Sequence, residues 1–210
     1  MKKIFLFLSS LAFFSCSSLR FSVPGESASK KSNIFAEYMN IADAYSDLGK
    51  YDKAINYYTL AMSNKNLRWT SKYKLAYSYA MNKNWEQAEK IYYELYRRDR
   101  ENLSIKMSLA YVYAMNGKIS SANVIYSSLY EKNPENADIL VNYINILIAM
   151  ENYTEAQDKL NILKEKFSDN SNISTFEKKL EELTNKTEEL KDSELPENSS
   201  SEKESVNLFL

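Results

Sequence analysis

The sequence predicts an all-α protein built from stacked helix hairpins, and three observations predict it. Among 210 residues there are only three glycines and three prolines, the residues on which tight turns and edge strands depend. Four alanines, Ala54, Ala88, Ala122 and Ala156, recur at a spacing of 34 residues with no insertion between them. Between them apolar residues fall at i, i+3, i+4 and i+7 in two stretches per unit, which is the period of a helix and not of a strand. A hydrophobic content of 44% with 26% charged residues supplies enough apolar surface for a packed core.

The chain opens with Met1, Lys2 and Lys3, followed by the uncharged run from Ile4 to Phe14. A positive start and a short apolar stretch make the layout of an export signal over residues 1–15. At roughly 1.5 Å per residue this run is too short to span a hydrocarbon core of about 30 Å. The only cysteine, Cys16, comes directly after it, preceded by Ser15 and followed by Ser17 and Ser18. This arrangement resembles the lipobox of bacterial lipoproteins, with Phe13 and Phe14 where that family usually carries Leu and a small residue. The resemblance implies that Cys16 is acylated and becomes the first residue of the mature chain, anchored in a membrane of a bacterial cell envelope. The outer membrane or a periplasmic face is the favoured location, and ordinary cleavage near Ser15 or Ser17 is the alternative. Residues 16–34, rich in serine and containing Pro24 and Gly25, read as the lipidated N-terminus and a flexible tether.

Residues 35–170 divide into four units, 35–68, 69–102, 103–136 and 137–170. Nine residues before the repeated alanines stand Tyr45, Tyr79, Tyr113 and Leu147, and four residues after them stand Tyr58, Tyr92, Tyr126 and Leu160. Short segments such as Gly49-Lys50-Tyr51 and Lys83-Asn84-Trp85 separate two helical stretches in each unit. Small residues at fixed places let the two helices approach closely, and an aromatic fills the groove opposite. One hairpin leaves an apolar face open, so successive hairpins must stack.

The period and its columns resemble the tetratricopeptide repeat (TPR). The family's proline near the end of a unit survives only as Pro134, and its first-turn tryptophan is replaced by Tyr38, Lys72, Lys106 and Leu140. The resemblance implies a right-handed α-solenoid of four 34-residue hairpins whose first helices line a concave face. It also implies a scaffold that binds a protein or peptide partner. Some members hold acidic chaperone termini with Lys, Asn and Arg at set groove positions; Met39, Asp43 and Lys74 stand there in this chain, so that specificity is not implied.

Beyond the repeats, Ser174-Thr175-Phe176-Glu177 has the spacing of a capping box, and Ile173, Phe176, Leu180, Leu183 and Leu190 give the following segment one apolar side. Residues 171–192 therefore read as a helix that seals the stack. Residues 193–210 read as a disordered acidic tail. Nine acidic and three basic residues lie in 181–210. The closing Val206-Asn207-Leu208-Phe209-Leu210 is either a frayed end or a short docking motif.

At 100° per residue, positions 2, 5, 9, 12 and 13 of each unit point roughly 150° away from the packing positions of the first helix. They define a candidate partner-binding groove of Met39, Asp43, Tyr73, Tyr77, Met81, Met107, Tyr111, Met115 and Asn145. Tyrosine and methionine present large, adaptable area to a peptide, although tyrosines at these places could equally pack between units. Arg97, Arg98 and Arg100 cluster near a helix end and read as a solvated terminus rather than an anion site.

The absence of histidine and the single cysteine exclude His-based general-base catalysis, Ser-His-Asp and Cys-His nucleophiles, and zinc sites of His and Cys. Asp43 with Asp47, one helical turn apart, is the only acidic pair on the groove face, and such pairs on exposed helices are usually solvated. No enzyme activity, cofactor or small-molecule substrate is expected. A formal charge of −1 is not that of a nucleic-acid binder. The resulting expectation is a membrane-anchored scaffold for cell-envelope assembly or maintenance, with a surface-exposed or secreted repeat protein meeting host molecules as the alternative.

Overall fold

The computed structural model describes residues 26–194. They form α1 (Glu26–Asp47), α2 (Tyr51–Ala61), α3 (Arg68–Met81), α4 (Trp85–Arg98), α5 (Leu103–Met115), α6 (Ile119–Lys132), α7 (Ala137–Ala149), α8 (Tyr153–Lys166) and α9 (Ile173–Glu194). Among the described residues there is no strand. Each helix packs on the next in sequence, so α1/α2, α3/α4, α5/α6 and α7/α8 form hairpins that stack into an all-α helical-repeat solenoid. Hydrogen bonds from Ser71 to Met39 and from Lys74 to Asp43 join α1 to α3 in a common direction, as stacking of like on like requires.

The repeated columns explain the packing. Ala54, Ala88, Ala122 and Ala156 are completely buried, and Tyr58, Tyr92, Tyr126 and Leu160 fill the space they leave. The fourth unit departs from the small-and-aromatic columns because α7 is enclosed on more of its circumference. Ile139, Leu140, Ile144, Leu147 and Ile148 are buried in one cluster that also takes in Phe176 and Leu180 of α9.

The turn inside each hairpin repeats as faithfully as the alanines do. Residues 49, 83, 117 and 151 all have positive φ, as Gly49, Lys83, Gly117 and Glu151. The next residue donates its N–H five residues back, Lys50 to Tyr45, Asn84 to Tyr79, Lys118 to Tyr113 and Asn152 to Leu147. These are Schellman closures, in which a left-handed residue satisfies carbonyls the helix end leaves free. Glycine adopts that conformation without strain, whereas a side chain costs about 1–2 kcal/mol. Lys83→Gly is therefore expected to stabilise the protein by about 0.5–1 kcal/mol after the extra chain entropy of glycine is subtracted, and Gly49→Ala to destabilise it. Urea unfolding of the two variants checks both signs.

Three sequence expectations change. The stretch read as a tether through residue 34 is helical from Glu26 on; serine, alanine and lysine permit a helix once Pro24 and Gly25 are passed. The last helix begins at Ile173, with Phe176 N–H donating to the Asn172 carbonyl, so Ser174 stands inside the first turn and does not cap it. Glu177, the other half of the supposed box, instead pairs with Lys164 of α8 at 2.6 Å. Ser193 and Glu194, assigned to the tail, belong to α9. The signal segment 1–15, Cys16, and residues 195–210 with Val206–Leu210 lie outside the described residues.

Candidate partner-binding face

The first helices α1, α3, α5 and α7 carry the predicted groove residues, and the structure divides these nine into two groups. Tyr77 is 43% exposed, Tyr111 39% and Met115 47%, and Asn145 is exposed with its amide donating to the Val141 carbonyl at 3.2 Å. The others hold neighbouring units together. Met39 is half-buried and its sulfur accepts from Ser71 Oγ at 3.3 Å. Tyr73 meets the Tyr92 ring edge to face at 5.6 Å, with its hydroxyl 3.2 Å from Ser108 Oγ. Met81 packs against the cluster around Tyr92 and Leu95, and Met107 against the larger cluster of α7 and α8.

Asp43 is also committed inside the protein. It accepts from the Tyr58 hydroxyl at 2.6 Å and from Lys74 Nζ at 2.7 and 2.8 Å. Burial first, and then the hydrogen bond to Asp43, hold the Tyr58 hydroxyl well above the usual tyrosine range. The node ties α1, α2 and α3 together, so Asp43 is a link between units rather than one half of an acidic pair with Asp47.

What remains open is an aromatic strip whose second half the sequence reading missed. Tyr77 is braced by Tyr51, rings at 6.3 Å and 81°, and Tyr111 is braced by Trp85, rings at 6.3 Å and 76°. Tyr51 and Trp85 are each the first residue of a second helix, 26 residues before the tyrosine they support. The same bracing therefore occurs twice at the repeat period. In the following unit those two positions are Ile119 and Asn145, and the aromatic strip ends there. Burial pushes the Tyr77 hydroxyl above its ordinary value, and the Tyr51, Tyr111 and Tyr73 hydroxyls add to the effect. Rings held edge to face have few accessible rotamers, so a partner that lies on them orders little on binding.

Among the described residues no cluster of His, Cys, Asp and Glu is placed to hold a metal ion. No described helix is long and apolar enough to cross a membrane.

Comparison with known proteins agrees with the fold. A solved tetratricopeptide repeat protein from Parabacteroides merdae is 19% identical with a TM-score of 0.62, over 78% of this chain and 68% of that one. MamA from Desulfovibrio magneticus RS-1, solved from residue 41 to its end, is 11% identical with a TM-score of 0.60, over 79% of this chain and 98% of that one. YrrB, described as a TPR protein with an unusual peptide-binding site, is 16% identical with a TM-score of 0.53, over 75% and 86% of the two chains. No curated protein matches the sequence significantly. Tetratricopeptide-repeat family models match residues 39–102 and 113–180, more than half of the sequence between them, and the chain belongs to the tetratricopeptide repeat family.

Proposed function

We propose that this protein is an exported, lipid-anchored scaffold that grips an extended, apolar segment of a partner protein along Tyr77, Tyr111 and Met115. The general role, a protein-interaction scaffold, is that of its family. The observation that carries the finer reading is the pair of exposed tyrosines braced at the repeat period by Tyr51 and Trp85. Large rings fixed in place and open to solvent are the kind of surface that dominates binding energy at protein interfaces. A segment lying across them would place apolar or aromatic side chains about one repeat apart. Met115, unbranched and flexible, would adapt to whatever follows.

The cell-envelope location rests on the sequence alone, on residues 1–15 as an export signal and Cys16 as the acylated residue. Catalysis has no support in the groove, where Asp43 is taken up by Lys74 and Tyr58. Affinity for a bound peptide is expected to fall at least tenfold in a Tyr77→Ala/Tyr111→Ala variant while helicity is unchanged. Retention of full affinity would move the partner site off this strip.

A further inference from the structure

The four arginines of the described residues, Arg68, Arg97, Arg98 and Arg100, all lie at one corner of the solenoid. Arg97 and Arg98 end α4, Arg100 follows in the loop, and Arg68 begins α3. The corner is fastened by Trp69, which is 36% exposed. Its ring carries the Arg98 guanidinium at 3.8 Å and Lys72 Nζ at 5.2 Å. Of the acids nearby, Glu94 is paired with Lys72 and Glu101 with Lys106, so lysines absorb those two charges. Asp99 accepts from Asn102. Arg97 and Arg100 are exposed and have no ion-pair partner among the described residues. Arg98 stacks on the exposed Trp69, and Arg68, Arg97 and Arg100 stand at or just beyond the same two helix ends, more cations than the C-terminus of α4 alone would draw.

We propose that this corner rests on a membrane surface rich in anionic lipid headgroups. Arginine forks suit phosphate oxygens, and tryptophan beside cationic side chains is the combination found at the membrane–water interface. The register of the solenoid agrees. Met39 lies beside Ser71 and Asp43 beside Lys74, which brings residue 36 of α1 level with Arg68. The part of α1 before it extends past the same edge, so the chain enters the solenoid from the arginine side, with Cys16 only ten residues before Glu26. The inference rests in part on reading Cys16 as a membrane anchor. Such an anchor would deliver this edge to the bilayer, where the arginines would meet the headgroups beside it.

The test uses the mature chain, residues 16–210, with Cys16→Ser, so that neither the apolar leader nor an acyl group contributes, and with Trp85→Phe, so that Trp69 is the only tryptophan. Circular dichroism first establishes that the fold is kept. Vesicles of neutral phosphatidylcholine are compared with vesicles containing phosphatidylglycerol, some carrying brominated acyl chains. The proposal predicts a blue shift of Trp69 emission and bromine quenching on the anionic vesicles only, reversed by salt. Arg97→Gln/Arg100→Gln, which leaves the Arg98–Trp69 stack intact, should bind about 30-fold more weakly. Equal binding by both proteins, or equal quenching on neutral vesicles, would overturn it. So would a Trp69 shift produced by polyglutamate but not by vesicles, which would make the occupant an acidic protein segment. Membrane recovery of Cys16→Ser against wild type in cells reports on the anchor separately, so failure of the anchor and failure of this surface are distinguishable.

Discussion

Replacing Tyr92 by alanine is expected to destabilise the protein by about 3–5 kcal/mol, the range for removing a large ring from a close-packed core. Tyr92 is almost fully buried and meets Tyr73 of α3 edge to face, while its cluster includes Leu109 and Val112 of the following unit. Its removal therefore loosens both the hairpin and the junction to the next one. Folded domains are stable by only about 5–15 kcal/mol, so the loss is a large fraction of the whole. In a repeat array each unit touches only its neighbours, and the damage should be local. Hydrogen exchange is expected to accelerate in α3, α4 and α5 while α7, with its larger cluster, stays protected. Tyr92→Phe should recover most of the loss. A uniform rise in exchange along the chain would mean the array unfolds as one unit.

The second large effect is a collapse of stability in alkali. Burial pushes the hydroxyls of Tyr58, Tyr92, Tyr126 and Tyr143 upward, Tyr126 to about 12. Tyr58 and Tyr143 also donate to carboxylates, Asp43 at 2.6 Å and Glu155 at 2.8 Å, so ionisation would set negative charges against each other. A folded value above the unfolded one near 10 means that the neutral ring favours the folded state. That contribution is complete below about pH 10 and is lost as pH rises through the raised values. For Tyr126 alone the rise to about 12 corresponds to about 3 kcal/mol, and Tyr58, Tyr92 and Tyr143 act in the same direction. Helicity should disappear between about pH 10 and 12 in step with a jump in tyrosinate absorbance, at lower pH in weakly stable variants.

On the acid side, Glu89 behaves in the opposite sense. Burial raises it, but hydrogen bonds from Lys118 at 2.5 Å and Asn116 at 2.7 Å outweigh that and leave it lowered. Its contribution is present above the ordinary glutamate range and is lost as pH falls through the lowered value. With no histidine in the chain, no side chain of ordinary pKa titrates between about pH 5 and 8, and stability should be level across that interval.

Much of the fold could be read from the sequence because repetition makes its main features visible three or four times. The buried alanines and the turn positions recur at 34 in all four units and the aromatics four residues beyond the alanines in the first three, and a stacked array has few ways to satisfy them. The face of each first helix was equally legible from the helical period. Which side chains on that face stay open was not. Tyr73 and Tyr77 sit one turn apart on the same helix, yet Tyr73 is covered by Tyr92 and Ser108 while Tyr77 stands open. The difference depends on the register of the neighbouring unit, which a single helical wheel does not contain. Tyr51 and Trp85 were missed for the same reason, since as first residues of second helices they lie off the wheel of the first; their 26-residue offset to Tyr77 and Tyr111 was the available signal. The supposed capping box failed because Ser and Glu three apart define a cap only where the helix begins, and Asn172 accepts the first helical hydrogen bond instead.

The braced tyrosine strip is proposed as the partner site, and a peptide affinity tests that proposal. Peptides selected from a displayed random library on the wild-type protein would be titrated against wild type and Tyr77→Ala/Tyr111→Ala. Trp85 emission is followed in a Trp69→Phe background, and circular dichroism confirms that both proteins are folded. Selected peptides should carry apolar or aromatic residues, Trp85 emission should change on binding, and the double variant should bind at least tenfold more weakly. Equal affinity for the two proteins, with Trp85 emission unmoved, would contradict it.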